Sequence, residues 1–232
     1  MFVLVDMNLR DEEKAALRNL GFFILCTTPV GEINNTLSTH PDIQIHFLNS
    51  NTAICEPTTY DYYKKMMPEH IRLISGKSRC TSTYPKDCAY NVTRIGQHIF
   101  ANTDSADTTL LNYYQKEKYQ IHHVRQGYTK CNTCIISDQS VLTEDVGLHN
   151  IFIENNIRSF LIKNGEVALE GYPYGFIGGA SGSDGKNVYF SGMIEGHPWG
   201  DEIKRFIKEE GKEVFSLSKD KLRDNGSMFF FE

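Results

Sequence analysis

The sequence predicts a five-fold pseudosymmetric α/β propeller, five ββαβ units in a ring that the N- and C-terminal strands close. Three observations carry this reading. An order of strand, strand, helix, strand recurs along the chain. Its leading strands start at His40, Asp87, Cys131, Gly178 and Asp224, at intervals of about 46 residues. The two ends supply a fifth unit only when joined, because residues 227–231 form a strand with no successor and residues 2–6 a strand with no predecessor. No such unit can bury its own apolar face, so five would share one core around an axis. The 232 residues then make a single domain spanning 1–232. The pattern leaves open a doubly wound sheet. The fingerprint of that fold is weak here, since Gly178, Gly179 and Gly182 form a turn with no strand before it and no helix opening directly from it.

From the N-terminus, residues 2–6 (FVLVD) read as a strand, 11–20 as an amphipathic helix and 22–26 as a returning strand. Residues 40–49 (HPDIQIHFLN) read as a strand with 51–56 as its hairpin partner, followed by a helix over 59–67 and a strand over 71–74. The next unit begins at Tyr84, with strands over 87–95 and 98–102, a helix over 104–116 and a strand over 120–125. Strands over 131–137 and 140–143, a helix over 146–155 and a strand over 159–162 make the third unit. The fourth starts near Gly178, has its β run at 187–193, and continues into a helix over 198–210 and a strand over 213–217. That helix places Trp199, Ile203, Phe206 and Ile207 on one face.

Composition narrows the function classes. The chain carries 24 Lys and Arg against 29 Asp and Glu, a formal charge of −5, with 40% hydrophobic and 23% charged residues. A mildly acidic chain without a clustered basic face lacks the footprint of a nucleic-acid binder. No apolar stretch approaches the roughly 18 to 20 residues that span a bilayer. The first seven residues, interrupted by Asp6, do not read as a secretory leader. The expectation is a cytoplasmic protein with no nucleic-acid or membrane partner, whose six cysteines are reduced thiols.

In a ring of this kind the leading strands converge on the axis, so residues at their starts meet although distant in sequence. This gathers His40 and Asp42, Asp87 and Asn91, Cys131, the turn from Gly178 through Gly179 to Gly182, and Asp224 with Ser227. A thiol, an imidazole and a carboxylate are the groups that covalent thiol catalysis needs, as nucleophile, proton carrier and orienting acid. Each has a plainer reading. Cys131 with Cys134 is also a CxxC of buried thiols at a strand start. His40 before Pro41 and Asp87 before its strand are also turn residues. The glycine turn suits an anion cradle or a close chain approach. No partner pair stands at zinc-ligand spacing from the CxxC, so no metal or cofactor is expected.

These residues resemble the pentein superfamily of guanidino-group-modifying enzymes. It includes arginine and agmatine deiminases, dimethylarginine dimethylaminohydrolases and amidinotransferases, as well as non-catalytic ribosome anti-association factors. With QGYTKC, GFIGGASG and LRDNGS, the whole chain is similar to an uncharacterised bacterial family of that fold. Gly127, Cys131 and Thr133 match the superfamily's Gly-x-x-x-Cys-x-Ser/Thr stretch, and His40, Pro41 and Asp42 match its His-x-Asp. Asp224 and Gly226 match part of its Glu-Gly-Gly-Asp. The resemblance implies that Cys131 attacks an amidine-type carbon, that His40 protonates the departing amine and then activates water, and that Asp224 and Asp42 hold a cationic substrate. Asp87, Asn91, Gly179 and Ser227 would line the pocket. Lys130, adjacent to Cys131, is expected to point to the opposite face of the strand. A second carboxylate usual in these enzymes is replaced by the glycine turn, with Asp184 too late in sequence, so the carboxylate clamp is expected to be half complete. The alternative is a non-catalytic pentein that binds a small ligand or a protein partner in the central pocket.

Overall fold

The computed structural model describes residues 1–34 and 36–232. Its strands form five separate three-stranded sheets, each with a leading strand antiparallel to a middle strand, which runs parallel to an outer strand. The sheet of the chain ends contains β1 (Phe2–Val5) and β2 (Phe23–Cys26), with helix α1 (Asp11–Asn19) between them. The next unit opens on a short helix α2 (Pro41–Gln44) and continues as β3 (Ile45–Asn49), β4 (Thr52–Cys55), α3 (Tyr60–Met66) and β5 (Arg72–Ser75). Then come β6 (Thr93–Ile95), β7 (His98–Ala101), α4 (Thr108–Lys116) and β8 (Gln120–His123). The following unit holds β9 (Thr133–Ser137), β10 (Ser140–Thr143), α5 (Val146–Glu154) and β11 (Arg158–Leu161). The last complete unit is β12 (Ser181–Ser183), β13 (Asn187–Phe190), α6 (Gly200–Glu209) and β14 (Glu213–Ser216). Strand β15 (Phe229–Phe231) returns to β1 in antiparallel register, Phe2 opposite Phe231, and closes the ring.

The five longer helices bury side chains one turn apart: Glu13 and Leu17, Tyr63 and Met67, Leu110 and Tyr114, Leu148 and Phe152, Ile203 and Ile207. That i, i+4 spacing is one helix face laid on one sheet. Side-chain caps fix two of the starts. Asp107 Oδ1 accepts from Thr109 N at 2.8 Å and Leu110 N at 3.2 Å, and Asp145 Oδ1 accepts from Leu148 N at 2.9 Å.

On the inner side, β12 touches both β9 and β15, and β6 touches β9. The rings of Phe47 on β3 and Phe229 on β15 stand 5.6 Å apart. The leading strands therefore surround the axis, as the sequence predicts, but they are shorter than expected at their starts. Residues 41–44 wind into a helical turn because Pro41 at its first position has the fixed φ of a helix start. Residues 87–91 lie in turns ahead of β6, and Cys131 lies in the turn ahead of β9. No helix among the described residues is long and apolar enough to cross a membrane.

Candidate functional site

Those irregular starts position the site. In the turn before β9, Asn91 Oδ1 accepts from both Lys130 N at 2.8 Å and Cys131 N at 3.1 Å. Gly179 N donates to Cys131 O at 2.9 Å from the neighbouring unit. Asn91 and Gly179 thus hold the backbone that presents the thiol. Gly179 must lack a side chain, since a Cβ there would stand 2.0 Å from Asp224 Oδ1. Gly226, at φ +67°, meets the same limit against His40, whose Cβ would be 2.3 Å from it.

Five of the expected groups come together at the axis. The Cys131 thiol donates to Asp42 Oδ2 at 3.0 Å and lies 3.9 Å from both Asp224 carboxylate oxygens. His40, Asp42 and Cys131 each offer an atom within 4.8 Å of the others. His40 Nδ1 stands 3.8 Å from Asp224 Oδ1. Asp224 is fixed by backbone, Oδ1 accepting from Gly226 N and Oδ2 from Phe176 N, both at 2.9 Å. Ser227 Oγ lies 2.8 Å from Asp42 Oδ2 and 3.0 Å from Gly178 O. Asp42 Oδ1 is buried and accepts no hydrogen bond. His40, Asp42 and Cys131 could also ligate a metal ion, a binding that would have to release the thiol proton.

Asp87 is the expected residue that does not join this cluster. Its carboxylate accepts from the Tyr128 hydroxyl and from the Cys88 thiol. Tyr128 in turn packs near Tyr84 and Phe176, with ring centroids 5.7 and 6.3 Å apart. Asp87 thus anchors the aromatic side of the surroundings and touches no reacting group. Asp184 is consumed in the β12–β13 turn by Lys186 N, Asn187 N and the Tyr189 hydroxyl.

Three groups were not foreseen. Asp6, just after β1, places Oδ2 3.9 Å from His40 Nε2 and accepts there from Thr39 Oγ1 at 2.9 Å. Glu144, just after β10, accepts from Ile177 N at 2.8 Å through Oε2, and its Oε1 is buried without a partner. Burial, with Asp224 adding repulsion, raises the Glu144 carboxyl to about 7. Lys130 does not turn away: its Nζ donates to Ser227 Oγ at 3.0 Å and sits 5.7 Å from the centre of the Phe229 ring. The alternation rule fails there because residues 129–132 are a turn and not a strand. The signal for Asp6 and Glu144 was a carboxylate at the end of a middle strand, a place that leading-strand reasoning passes over.

The electrostatics follow from burial. Cys131 is 4% exposed and Asp42 0%, so desolvation, then Asp224 and Asp42, push the thiol well above its ordinary value, with Lys130 opposing. Desolvation also raises the Asp224 carboxyl, against the pull of His40. Desolvation lowers Lys130, and the site's anions resist it. The site is a buried cluster of carboxyl groups around a protonated thiol, with the Lys130 amine linked to it through Ser227.

The ring of five ββαβ units is the pentein fold, and solved structures agree. Dimethylarginine dimethylaminohydrolase from Pseudomonas aeruginosa, determined with citrulline, aligns with a TM-score of 0.59 over 94% of this chain and 92% of its own, at 10% identity. An amidinotransferase of saxitoxin biosynthesis from Microseira wollei aligns at 0.57 over 94% and 78%, with 12% identity. Inosamine-phosphate amidinotransferase from Streptomyces griseus aligns at 0.52 over 92% and 74%, also with 12% identity. At these identities the likeness is one of fold. Within that fold the chain belongs to the family of unknown function DUF6873, which it matches over residues 4–229. A comparison with curated protein sequences gives no match.

Proposed function

We propose that this protein is a cysteine-dependent hydrolase or amidinotransferase-like enzyme acting on an amidine- or amide-type C–N bond of a cationic small molecule. The observation that carries the reading is the Cys131 thiol held 3.0 Å from Asp42 and 3.9 Å from Asp224, with a His40 ring nitrogen within 4.8 Å. The unpartnered Asp42 Oδ1 and the Asp224 carboxylate offer acceptors for an amidinium. The bound cation cancels the repulsion that keeps the thiol protonated, so the thiolate forms in the substrate complex, its proton passing to His40. Cys131 Sγ then attacks the amidinium carbon. His40 gives a proton to the departing amine as the C–N bond breaks, leaving a thiouronium-like adduct on sulfur. His40 next takes a proton from water, which attacks the same carbon, and the C–S bond breaks to return the thiol. A second amine in place of water makes the same chemistry a transfer. Asp6 orients the His40 ring as a positioning residue. Because Cys131 is 4% exposed, substrate entry requires the surroundings of the thiol to open.

The sealed, protonated thiol favours a second reading, a non-catalytic pentein that binds a small ligand at the same carboxylates. Acid-quenched mass spectrometry after exposure to agmatine, N-methylated arginines and acetamidine separates the two. The enzyme reading predicts release of ammonia or amine by the wild type, and an adduct on Cys131 that accumulates in His40→Ala because its hydrolysis has lost the base. Binding of these cations with neither adduct nor release in any variant would establish the second reading and end the first.

A further inference from the structure

The leading strands run away from Cys131, and along them lies a cavity of about 610 Å³. Its floor is the reverse side of the candidate site. Lys130 lines it, while the Lys130 Nζ bond to Ser227 and the Ser227 contact with Asp42 lead back to the thiol. Arg94, on β6, also lines the cavity. Among the described residues Arg94 has neither an ion-pair partner nor a hydrogen-bond partner for its guanidinium, whereas Arg10 and Arg158 are paired with carboxylates. His46, on the same lining, donates to or accepts from Tyr114 Oη at 2.6 Å. Burial, then Arg94, then Lys130 hold His46 neutral, down to about 3, so both basic side chains act on the same stretch of the lining. The walls include Phe47, Phe229 and Met228. Asp138, Asp184 and Glu232 line it too, but they follow the last residues of β9, β12 and β15 at the rim, and none forms an ion pair with Arg94 or Lys130.

We propose that this cavity binds a small organic carboxylate with an apolar body, its anion held by Arg94 beside Lys130 and its body lying against Phe47 and Phe229. The guanidinium fork suits the two oxygens of a carboxylate. Apolar walls favour such a ligand over a fully hydrated inorganic anion. The site is distinct from the thiol site and does not depend on the reaction proposed there.

Isothermal titration at low ionic strength, with benzoate, its neutral isostere benzamide and inorganic phosphate, tests this. Benzoate is expected to bind saturably to wild type and equally to Cys131→Ser, with at least a tenfold weaker affinity for Arg94→Gln and an intermediate one for Arg94→Lys. Benzamide and phosphate are expected to bind at least tenfold more weakly than benzoate. The proposal is overturned by absence of saturable benzoate binding to the wild type, or by equal binding of benzamide or phosphate. Affinity unchanged in both Arg94 variants overturns it as well, and the Lys variant keeps the charge and so serves where the Gln variant does not fold.

Discussion

Burial, Asp224 and Asp42 together keep the Cys131 thiol protonated, and Asp42 is the one that accepts its hydrogen bond. A carboxylate 3.0 Å from a buried thiol disfavours the thiolate through charge repulsion and by accepting from the protonated form. Replacing it by Asn removes a cause that raises the thiol's pKa. In Asp42→Asn, the pH at which Cys131 becomes reactive towards iodoacetamide is therefore expected to move downward, and turnover of a cationic substrate is expected to fall by 10-fold or more as a charge-assisted contact worth about 1.5–3 kcal/mol is lost. Rates followed by mass spectrometry from pH 6 to 11 check the sign. An unmoved or upward-shifted profile would mean that the thiol does not feel Asp42. Much of this constellation was legible in the sequence. Cys131, His40, Asp42, Asp224 and Ser227 stand at the starts of leading strands, and a ring brings such starts together. Asp6 and Glu144 were not legible, because they enter from the ends of middle strands. Lys130 was misplaced because a rule for strands was applied to a turn.

The elements are set by periodicity where apolar residues are plentiful and obscured where they are not. Helix α5 shows this clearly. Leu148 and Phe152 are buried while Ile153, its neighbour, is 52% exposed, so an apolar sequence still has one working face. Phe152→Ala is expected to cost about 3–5 kcal/mol through lost burial and the cavity left beside Phe100, whose ring meets that of Phe152 edge-on at 4.7 Å. Ile153→Ala is expected to change stability by only about 0.5 kcal/mol. Urea denaturation of the pair gives the comparison, and equal costs would contradict the placement of α5. Strand β12, by contrast, reads Ser-Gly-Ser, with no apolar alternation to announce it. Its presence came from Gly178 falling at the repeat interval. The helical turn at Pro41 was hidden for the opposite reason, since the alternating residues after it continued the strand pattern backwards.

At the scale of the whole molecule, the ring explains why residues far apart in sequence form one site, with Asp224 and Asp6 flanking His40 across the β15–β1 junction. Closure rests on an antiparallel pair in which Phe2 faces Phe231, so residues 232 and 1 can be joined by a short hairpin turn. A circular permutant joined there and opened at Gly185, in an exposed turn with open space around its Cα, is expected to keep the far-ultraviolet circular dichroism of the parent. It is also expected to unfold in one cooperative transition. Loss of cooperative folding would show that the β15–β1 junction is not interchangeable with the other unit connections.

The central claim is that a carboxylate nest keeps Cys131 protonated until an amidinium arrives. It is tested most directly by the alkylation rates of Cys131 with 2-chloroacetamidine and with its neutral isostere 2-chloroacetamide at pH 7. The account predicts that the cation reacts at least about 100-fold faster than the amide, a difference of roughly 2.7 kcal/mol, and that Asp42→Asn and Asp224→Asn each erase most of that preference. Equal rates for the two reagents, or a preference that survives both substitutions, would contradict it.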